Sequence, residues 1–291
     1  MHPPFLARHE GLLGLPEIER LGESTVAIAG VGGIGGRVAE VLARSGIGSL
    51  RVADPDTFTV SNLNRQAAST LHNLGVNKAV AVAEMCRAVS PLVSVDIWQS
   101  GVTSENVDDF VAGSTVLVDG TDYTRPSIGL RLARSAAARG IPVVIGVEVA
   151  FAAWHTALFG AGAFERLFGL ARDTSYDVLD AGDVAIPLWR WIAQLPRYVD
   201  VAEIQRVAAG TIEAPALATA VELSAAMLSA DVIRILLGRS VVARAPSIHY
   251  GDVVTGKSCV FRPTALRFNL SALRARYSRD SLRATPLDGR G

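Results

Sequence analysis

Two stretches of the chain, Gly30-Val31-Gly32-Gly33-Ile34-Gly35 and Ser61-Asn62-Leu63-Asn64-Arg65-Gln66, indicate how it folds and what it binds. The first follows an apolar run, Thr25 to Ala29, and precedes an amphipathic one, so it predicts a strand, a tight turn and a helix. Its first glycine permits the turn, Gly32 lets the backbone approach a phosphate, and Gly35 lets the helix pack on the strand. This stretch indicates a nucleotide without saying which one.

The second stretch begins 26 residues after the last glycine of the first and supplies groups that a dinucleotide does not need. Arg65 and Lys78 are cations, and Asp119 ends a later apolar run. A triphosphate carries about four negative charges, which cations and a divalent metal neutralise as its α–β bond breaks. Mg²⁺ prefers a carboxylate with phosphate oxygens and water, so Asp119 is the candidate metal ligand. Asn62 and Gln66 add neutral hydrogen bonds, and the set predicts a triphosphate with Mg²⁺.

Short apolar and amphipathic stretches alternate up to residue 150, which predicts βαβ units and a Rossmann-like, doubly wound, mostly parallel sheet of the α/β class. Asp54 follows the second predicted strand, where an acidic residue hydrogen-bonds a ribose hydroxyl. A closing antiparallel hairpin is predicted at Ser247–Asp252 and Ser258–Phe261. We expect one domain of five parts: an N-terminal helical arm (1–24), a nucleotide-binding half (25–150), a crossover insertion (151–216), a C-terminal helix with strands (217–262) and a tail (263–291).

Composition narrows the class of protein further. The formal net charge is zero, from 28 basic and 28 acidic residues, so no overall charge favours a nucleic-acid partner. The tail from Arg262 to Gly291 is the exception, with seven arginines against two aspartates, and we expect it to be solvated and partly disordered. Charges interrupt the apolar stretch Val221 to Leu237, so we expect a buried helix there and no membrane span. With no signal peptide evident at the N-terminus, a cytoplasmic protein is expected.

Five motifs together resemble those of the E1-like adenylating enzymes, the ThiF/MoeB/HesA superfamily, which is related to ubiquitin-activating enzymes. The resemblance covers residues 6 to about 150 and returns at Leu217 to Gly256. The motifs that carry it are Gly30-Val31-Gly32-Gly33-Ile34-Gly35, Asp54-Pro55-Asp56, Ser61-Asn62-Leu63-Asn64-Arg65-Gln66, Gly75-Val76-Asn77-Lys78 and Asp119-Gly120-Thr121-Asp122.

The resemblance implies that a homodimer binds ATP and that a substrate carboxylate attacks the α-phosphate, giving an acyl-adenylate and pyrophosphate. The carboxylate would belong to a peptide, the C-terminus of a small carrier protein or a small acid. Catalytic roles would fall to Arg8, which is lent to the partner subunit's site, and to Arg65, Lys78 and the magnesium ligand Asp119. Nucleotide contacts would come from Gly30, Gly32, Gly33, Gly35, Asp54, Asp56, Asn62 and Gln66.

The chain also departs from the family pattern. It has two cysteines and therefore no pair of Cys-x-x-Cys motifs, so we expect no structural zinc. Between Arg87 and Ser258 there is no cysteine to form a thioester, and Cys86 and Cys259 are expected to be small buried hydrophobes. We therefore expect direct transfer of the acyl group. The bulky segment Phe151 to His155 argues against a Gly-Gly tail as the substrate.

Two alternatives remain open. The segment Gly101 to Val107 and the dipeptide Arg125-Pro126 resemble the tRNA threonylcarbamoyladenosine dehydratases, which use this fold and ATP to cyclise a carboxylate on tRNA. An NAD(P)-linked oxidoreductase or a non-catalytic nucleotide sensor would explain the glycine loop and Asp54. That alternative leaves Arg65, Lys78 and Asp119 without a role.

Overall fold

The computed structural model describes residues 3–282, with side chains for all of these except 188, 208 and 274–282. Eight strands form one sheet. They are β1 Thr25–Ala29, β2 Ser49–Ala53, β3 Ser94–Trp98, β4 Val116–Asp119, β5 Val143–Val149, β6 Ala152–Leu158, β7 Ile248–Asp252 and β8 Lys257–Phe261. The helices are α1 Leu15–Gly22, α2 Gly33–Arg44, α3 Lys78–Val89, α4 Val107–Val111, α5 Pro126–Ala138, α6 Ala163–Phe168, α7 Tyr176–Asp180, α8 Leu188–Ile192, α9 Val201–Ala208, α10 Ala218–Leu236 and α11 Ala265–Leu282.

The sheet has the order β3-β2-β1-β4-β5-β6-β7-β8 and changes direction at β5. Pairs from β3 to β5 are parallel, and pairs from β5 to β8 are antiparallel. From β1 the chain adds β2 and β3 on one side of the sheet and then β4 and β5 on the other side. Where the direction of strand addition reverses, a crevice opens at the carboxyl ends of β1 and β4. The predicted Rossmann-like fold with an antiparallel C-terminal extension is confirmed.

Helices cover both faces of the sheet, so each face has its own hydrophobic core. On one face α2, α3 and α10 pack through residues such as Leu42, Val82 and Leu228. On the other face α4, α5 and α6 pack through residues such as Phe110, Leu130 and Phe164. The sheet is therefore buried from both sides, and its open edge is the carboxyl end of the parallel strands.

The sequence interpretation missed one strand. Ala152–Leu158, which we assigned to the crossover insertion, is β6 and lies between β5 and β7. All seven of its residues are buried, including His155 and Thr156. A strand that is covered on both faces has no alternation of apolar and polar residues, so its pattern does not stand out.

The arginine-rich tail also differs in part from expectation, because Ala265–Leu282 forms α11. Residues 283–291 of the predicted tail lie outside the described residues. Among the residues that the structure describes, no helix is both long enough and apolar enough to cross a membrane.

Candidate nucleotide site

The glycine loop joins β1 to α2 at the crevice between β1 and β4. Gly30 has φ +81°, and a Cβ placed on it would lie 2.3 Å from the carbonyl oxygen of Gly120. A Cβ on Gly35 would lie 2.0 Å from the carbonyl oxygen of Gly30. Both positions require glycine for close backbone packing, which leaves the N-terminus of α2 open to an anion.

Asp54 holds the glycine loop from the neighbouring strand. Its carboxylate accepts hydrogen bonds from the backbone N–H of Val31 at 2.9 Å and of Asp56 at 3.0 Å. Burial raises the pKa of Asp54, whereas these hydrogen bonds and the charge of Lys78 oppose the rise. The ribose contact of this carboxylate stays a prediction; in the structure it organises the two loops that surround the crevice.

Arg65 and Gln66 lie over the glycine loop. A Cβ placed on Gly33 would be 3.8 Å from Cγ of Arg65, and one on Gly32 would be 3.7 Å from Nε2 of Gln66. Arg65 donates to the carbonyl of Ser61 at 3.0 Å and forms no ion pair within the described residues. The buried Oε1 of Gln66 has no hydrogen-bond partner there. Both side chains therefore have polar groups left for a ligand.

Lys78 begins α3, and Asn77 determines its position. The amide of Asn77 donates to the backbone oxygens of Asp54 at 2.9 Å and Asp56 at 3.2 Å, and its oxygen caps α3 by accepting from Val80 N–H. Asn77 stands in the motif Gly75-Val76-Asn77-Lys78, but its role could not be predicted from the sequence. The ammonium of Lys78 is mostly buried and pairs with the Asp56 carboxylate at 2.9 Å. It therefore lies next to the loop that Asp54 organises.

Asn62 has a local structural contact that the sequence did not reveal. Its Oδ1 accepts from the backbone N–H of Thr59 at 3.0 Å, which closes the short 3₁₀ helix Val60–Asn62. This contact fixes the segment that carries Arg65 above the loop. The amide nitrogen of Asn62 is left for other partners.

Asp119 ends β4 beside the glycine loop and is 4% exposed. Its Oδ1 accepts from the backbone N–H of Thr121 at 3.1 Å and from the hydroxyl of Thr121 at 2.6 Å. Burial raises the pKa of Asp119, and the two hydrogen bonds oppose the rise. The remaining oxygen, Oδ2, is a hard ligand at a strand end. Since Mg²⁺ commonly takes one or two carboxylates together with phosphate oxygens, this single carboxylate fits the metal.

Glu148 near the end of β5 adds a carboxylate beside Arg65. Burial raises its pKa, and the charge of Arg65 opposes the rise. Within the described part of the chain its side chain accepts no hydrogen bond from another side chain. The site therefore presents an acidic group beside the cation that lies over the glycine loop.

Two other candidates belong to other elements. Arg8 is exposed on the short 3₁₀ helix Pro4–His9, and its contact with a nucleotide stays a prediction. His155, whose ring could serve as a general base, is buried, and its Nε2 lies 2.9 Å from Oδ2 of the buried Asp231. His155 therefore links β6 to α10 and does not face the crevice.

The chain shares sequence with several known proteins. The chain is 36% identical over 149 residues to the SAMP-activating enzyme E1 of Haloferax volcanii, which is 50% of this chain and 54% of that one. It is 33% identical over 120 residues to the tRNA threonylcarbamoyladenosine dehydratase of Escherichia coli, 41% of this chain and 45% of that one. The chain thus spans about half the length of these curated relatives.

The crystal structure of E. coli MccB with ATP has the same fold, with a TM-score of 0.61 and 18% identity over 85% of this chain and 65% of that one. The model of the ThiF family matches residues 6–269, which include the glycine loop, all eight strands and α10. The chain belongs to the ThiF family.

Proposed function

We propose that the protein adenylates a carboxylate with ATP·Mg. A carboxylate oxygen of the substrate attacks the α-phosphorus, the bond between the α-phosphorus and the bridging oxygen breaks, and pyrophosphate leaves with that electron pair. The products are an acyl-AMP and pyrophosphate. An amine, thiol or hydroxyl nucleophile then displaces AMP.

One observation carries the proposal: Arg65, Lys78 and Asp119 flank a glycine loop that already offers a helix N-terminus. Arg65 lies over Gly33, Lys78 pairs with Asp56 next to the loop that Asp54 holds, and Asp119 ends the adjoining strand. A dinucleotide pyrophosphate is served by the loop alone. Two cations and a metal ligand in addition are what a triphosphate requires.

The roles follow from the positions. Backbone N–H groups of the loop and α2 receive phosphate oxygens, and Arg65 and Lys78 neutralise the charge that develops on the pyrophosphate. Asp119 would hold Mg²⁺, which would supply positive charge against the charge that develops on the phosphates. Gln66, with its unpaired buried oxygen, would accept from a hydroxyl or amine of the nucleoside.

Direct transfer, without an enzyme thioester, is part of the proposal. Burial raises the pKa of the Cys86 thiol to about 12, which leaves it protonated and unreactive near neutral pH. Cys259 packs at the edge of the core on the opposite face of the sheet from α10. Neither thiol lies at the crevice, so the acyl-AMP would be consumed by a nucleophile from a substrate.

A homodimer in the cytoplasm completes the proposal, and in it Arg8 would reach the nucleotide of the partner subunit, as the family resemblance implies. The substrate would be a peptide, a small carrier protein or a small acid. The name of the Haloferax volcanii relative, a SAMP-activating enzyme, supports a carrier protein or peptide.

The second candidate is cyclisation of a carboxylate on tRNA. The 33% identity over 120 residues to a tRNA threonylcarbamoyladenosine dehydratase favours it. The chain spans less than half of that relative, so the identity supports the shared fold and ATP use more than it supports an RNA substrate. Retention of tRNA at ~0.15 M salt would favour this candidate, since binding driven by phosphates weakens steeply with salt.

Carboxylate-dependent exchange of labelled pyrophosphate into ATP tests adenylation directly. We expect exchange that requires Mg²⁺ and a carboxylate and that yields AMP on addition of a nucleophile. Release of ADP, or nucleotide binding that favours NAD over ATP·Mg in a thermal-shift assay, would contradict the proposal.

A further inference from the structure

A cleft of about 710 Å³ opens beside β7 and β8, away from the glycine loop. Four cations line it: Arg197, Lys257, Arg262 and Arg267. Its apolar wall comes from Leu195, Pro196, Leu266 and Leu270. Clefts of roughly 300–1,000 Å³ hold small ligands or a few residues of a chain, so this one accepts a segment and not a folded domain.

The cations of this basic cleft have no carboxylate partner within the described residues. Lys257 Nζ at 3.0 Å and the guanidinium of Arg267 at 3.4 Å both donate to one neutral oxygen, Oε1 of Gln194. The charge of Arg262 adds to burial in lowering the pKa of Arg190. Like charges are thus held close together without an anion between them.

Asp252, a carboxylate that lines the basic cleft, offsets at most one of the four positive charges there. It is 5% exposed, and its oxygens accept from the hydroxyls of Tyr198 at 3.0 Å and Tyr250 at 3.3 Å and from the backbone N–H groups of Val254 and Thr255. The field that the basic cleft presents to solvent is therefore positive, although the whole chain is formally neutral.

Strand register places the basic cleft on the same edge of the sheet as the nucleotide site. Asp119 pairs with Ile145 of β5. Asp252 pairs with Ala152 of β6, which in turn pairs with Val149 of β5. Asp252 therefore lies four residues farther along the strand direction than Asp119 and three strands away from it. With a rise of ~3.3 Å per residue and ~4.8 Å per strand, it lies roughly 20 Å from Asp119. An extended peptide covers that distance in about six residues.

We propose that the basic cleft binds acidic side chains of the substrate polypeptide, about six residues before the C-terminal carboxylate that is adenylated. The inference rests on the proposed function and names the substrate class. Lys257, Arg262 and Arg267 would pair with Asp or Glu side chains, and Leu266 and Leu270 would pack on the chain between them. The remaining residues would extend along the ends of β7, β6 and β5 to the crevice.

A peptide fits these features better than RNA does. RNA is held by cations spread over an extended surface and by exposed aromatic rings that stack on bases. Here the cations converge in a cleft with an aliphatic wall. Phe261 and Tyr250, the rings next to the cations, are buried, and Phe261 is covered by the guanidinium of Arg267 at 3.5 Å.

The test uses two fluorescein-labelled octapeptides and the full chain. One peptide begins with two glutamates and the other with two glutamines. In both peptides three Ser-Gly repeats follow, and the last glycine carries a free carboxylate. Fluorescence anisotropy measures binding, and pyrophosphate exchange measures adenylation separately. We expect the glutamate peptide to bind at least tenfold more tightly, and its KM in exchange to rise at least tenfold when two of the repeats are removed.

The variant Lys257→Glu/Arg267→Glu reverses two cations of the basic cleft and should abolish the preference for glutamate. Exchange with the glutamine peptide should be unchanged, because neither residue belongs to the nucleotide site. The matched control, Arg20→Glu/Arg87→Glu, reverses two exposed cations elsewhere on the surface and should retain the preference.

Equal binding of the two peptides, or equal loss in both double variants, would overturn the proposal. Displacement of the glutamate peptide by tRNA, with tRNA binding lost in the Lys257→Glu/Arg267→Glu variant, would assign the basic cleft to RNA instead. Selective peptide binding without any exchange would refute adenylation and leave the acidic-peptide site standing. Exchange without selective binding would refute the acidic-peptide site and leave adenylation standing.

Discussion

The carboxylate of Asp54 accepts a hydrogen bond of 2.9 Å from the backbone N–H of Val31, so the residue after β2 holds the turn that follows β1. This contact joins the two loops that a nucleotide would bridge, namely the glycine loop and the loop that leads to Lys78. Shape at the crevice therefore depends on a buried carboxylate that need not touch the ligand.

Asp54→Ala should loosen the glycine loop. The N–H groups of Val31 and Asp56 would lose their acceptor, and a buried donor left unsatisfied costs about 1–3 kcal/mol. We expect a loss of about 1–3 kcal/mol in the free energy of unfolding, measured in urea, and at least tenfold weaker ATP binding by calorimetry. Asp54→Asn keeps one acceptor oxygen and should fall between. Unchanged ATP affinity in the alanine variant would refute this role.

Asp119→Asn should separate activity from stability. Burial raises the folded-state pKa of this carboxyl above 3.8, so the folded protein binds the proton more tightly than the unfolded chain does. Its contribution to stability is present below about pH 4 and is lost as pH rises through the raised value. Asparagine avoids that loss, so the variant should melt higher than wild type at pH 7 and equally at pH 4, while exchange falls more than about 100-fold. A lower melting temperature at pH 7 would contradict the sign.

Lys78→Met should lower pyrophosphate exchange more than about 100-fold, because it removes a cation from the developing charge. The matched control is Asp56→Asn, which breaks the ion pair of 2.9 Å but leaves the ammonium in place. Asp56 is exposed, so the pair adds little to stability, and the control should unfold within about 1 kcal/mol of wild type. Equal loss of exchange in both variants would assign the effect to the pair and not to the cation.

Arg8 should act on the partner's nucleotide. Arg8→Ala and Lys78→Met are each expected to be inactive alone. In mixed dimers the Arg8→Ala chain keeps its own Lys78 and receives Arg8 from its partner, so one of its two sites is complete. Random reassortment of the two variants should restore about a quarter of wild-type exchange, given a twofold-symmetric dimer. No recovery after verified subunit exchange would place Arg8 in cis or outside the site.

Asp231→Ala should destabilise the fold without touching the chemistry. Asp231 is fully buried and accepts from His155 and from the backbone N–H of Val242 at 3.1 Å. Removing one member of a buried pair costs about 3–5 kcal/mol, which chemical denaturation would measure. Ser229→Ala, on the same helix, removes a buried hydroxyl that has no partner and should cost almost nothing. Loss of exchange per folded molecule would show that His155 does act at the site.

The half of the fold with parallel strands could be predicted because local signals define it. β1 and β2 are short apolar runs that end at Gly30 and Asp54, and α3 is capped by Asn77 next to it in sequence. β6 gave no such signal. The hydrogen bonds of its polar centre are long-range: Nε2 of His155 pairs with Asp231 and the hydroxyl of Thr156 donates to the carbonyl of Ser247, 76 and 91 residues away.

The candidate site divides in the same way. Arg65, Lys78 and Asp119 could be selected because each stands in a motif with a fixed residue spacing. The contacts of Asp54 and Asn77 could not be, since they depend on which backbone groups meet across the crevice. The basic cleft could not be predicted from the sequence, because Gln194 and Arg267, which meet in it, are 73 positions apart in the chain.

β5 extends beyond the level of Asp119, and this point separates two groups of residues along one edge of the sheet. Residues up to that level form the glycine loop and carry most of its candidate ligands, whereas β7, β8 and α11 line the basic cleft. If the basic cleft binds the substrate as proposed, changes there would alter the partner while the residues around the glycine loop stay the same. Transplanting the β7–β8 hairpin and α11 between relatives would test whether the basic cleft determines the partner.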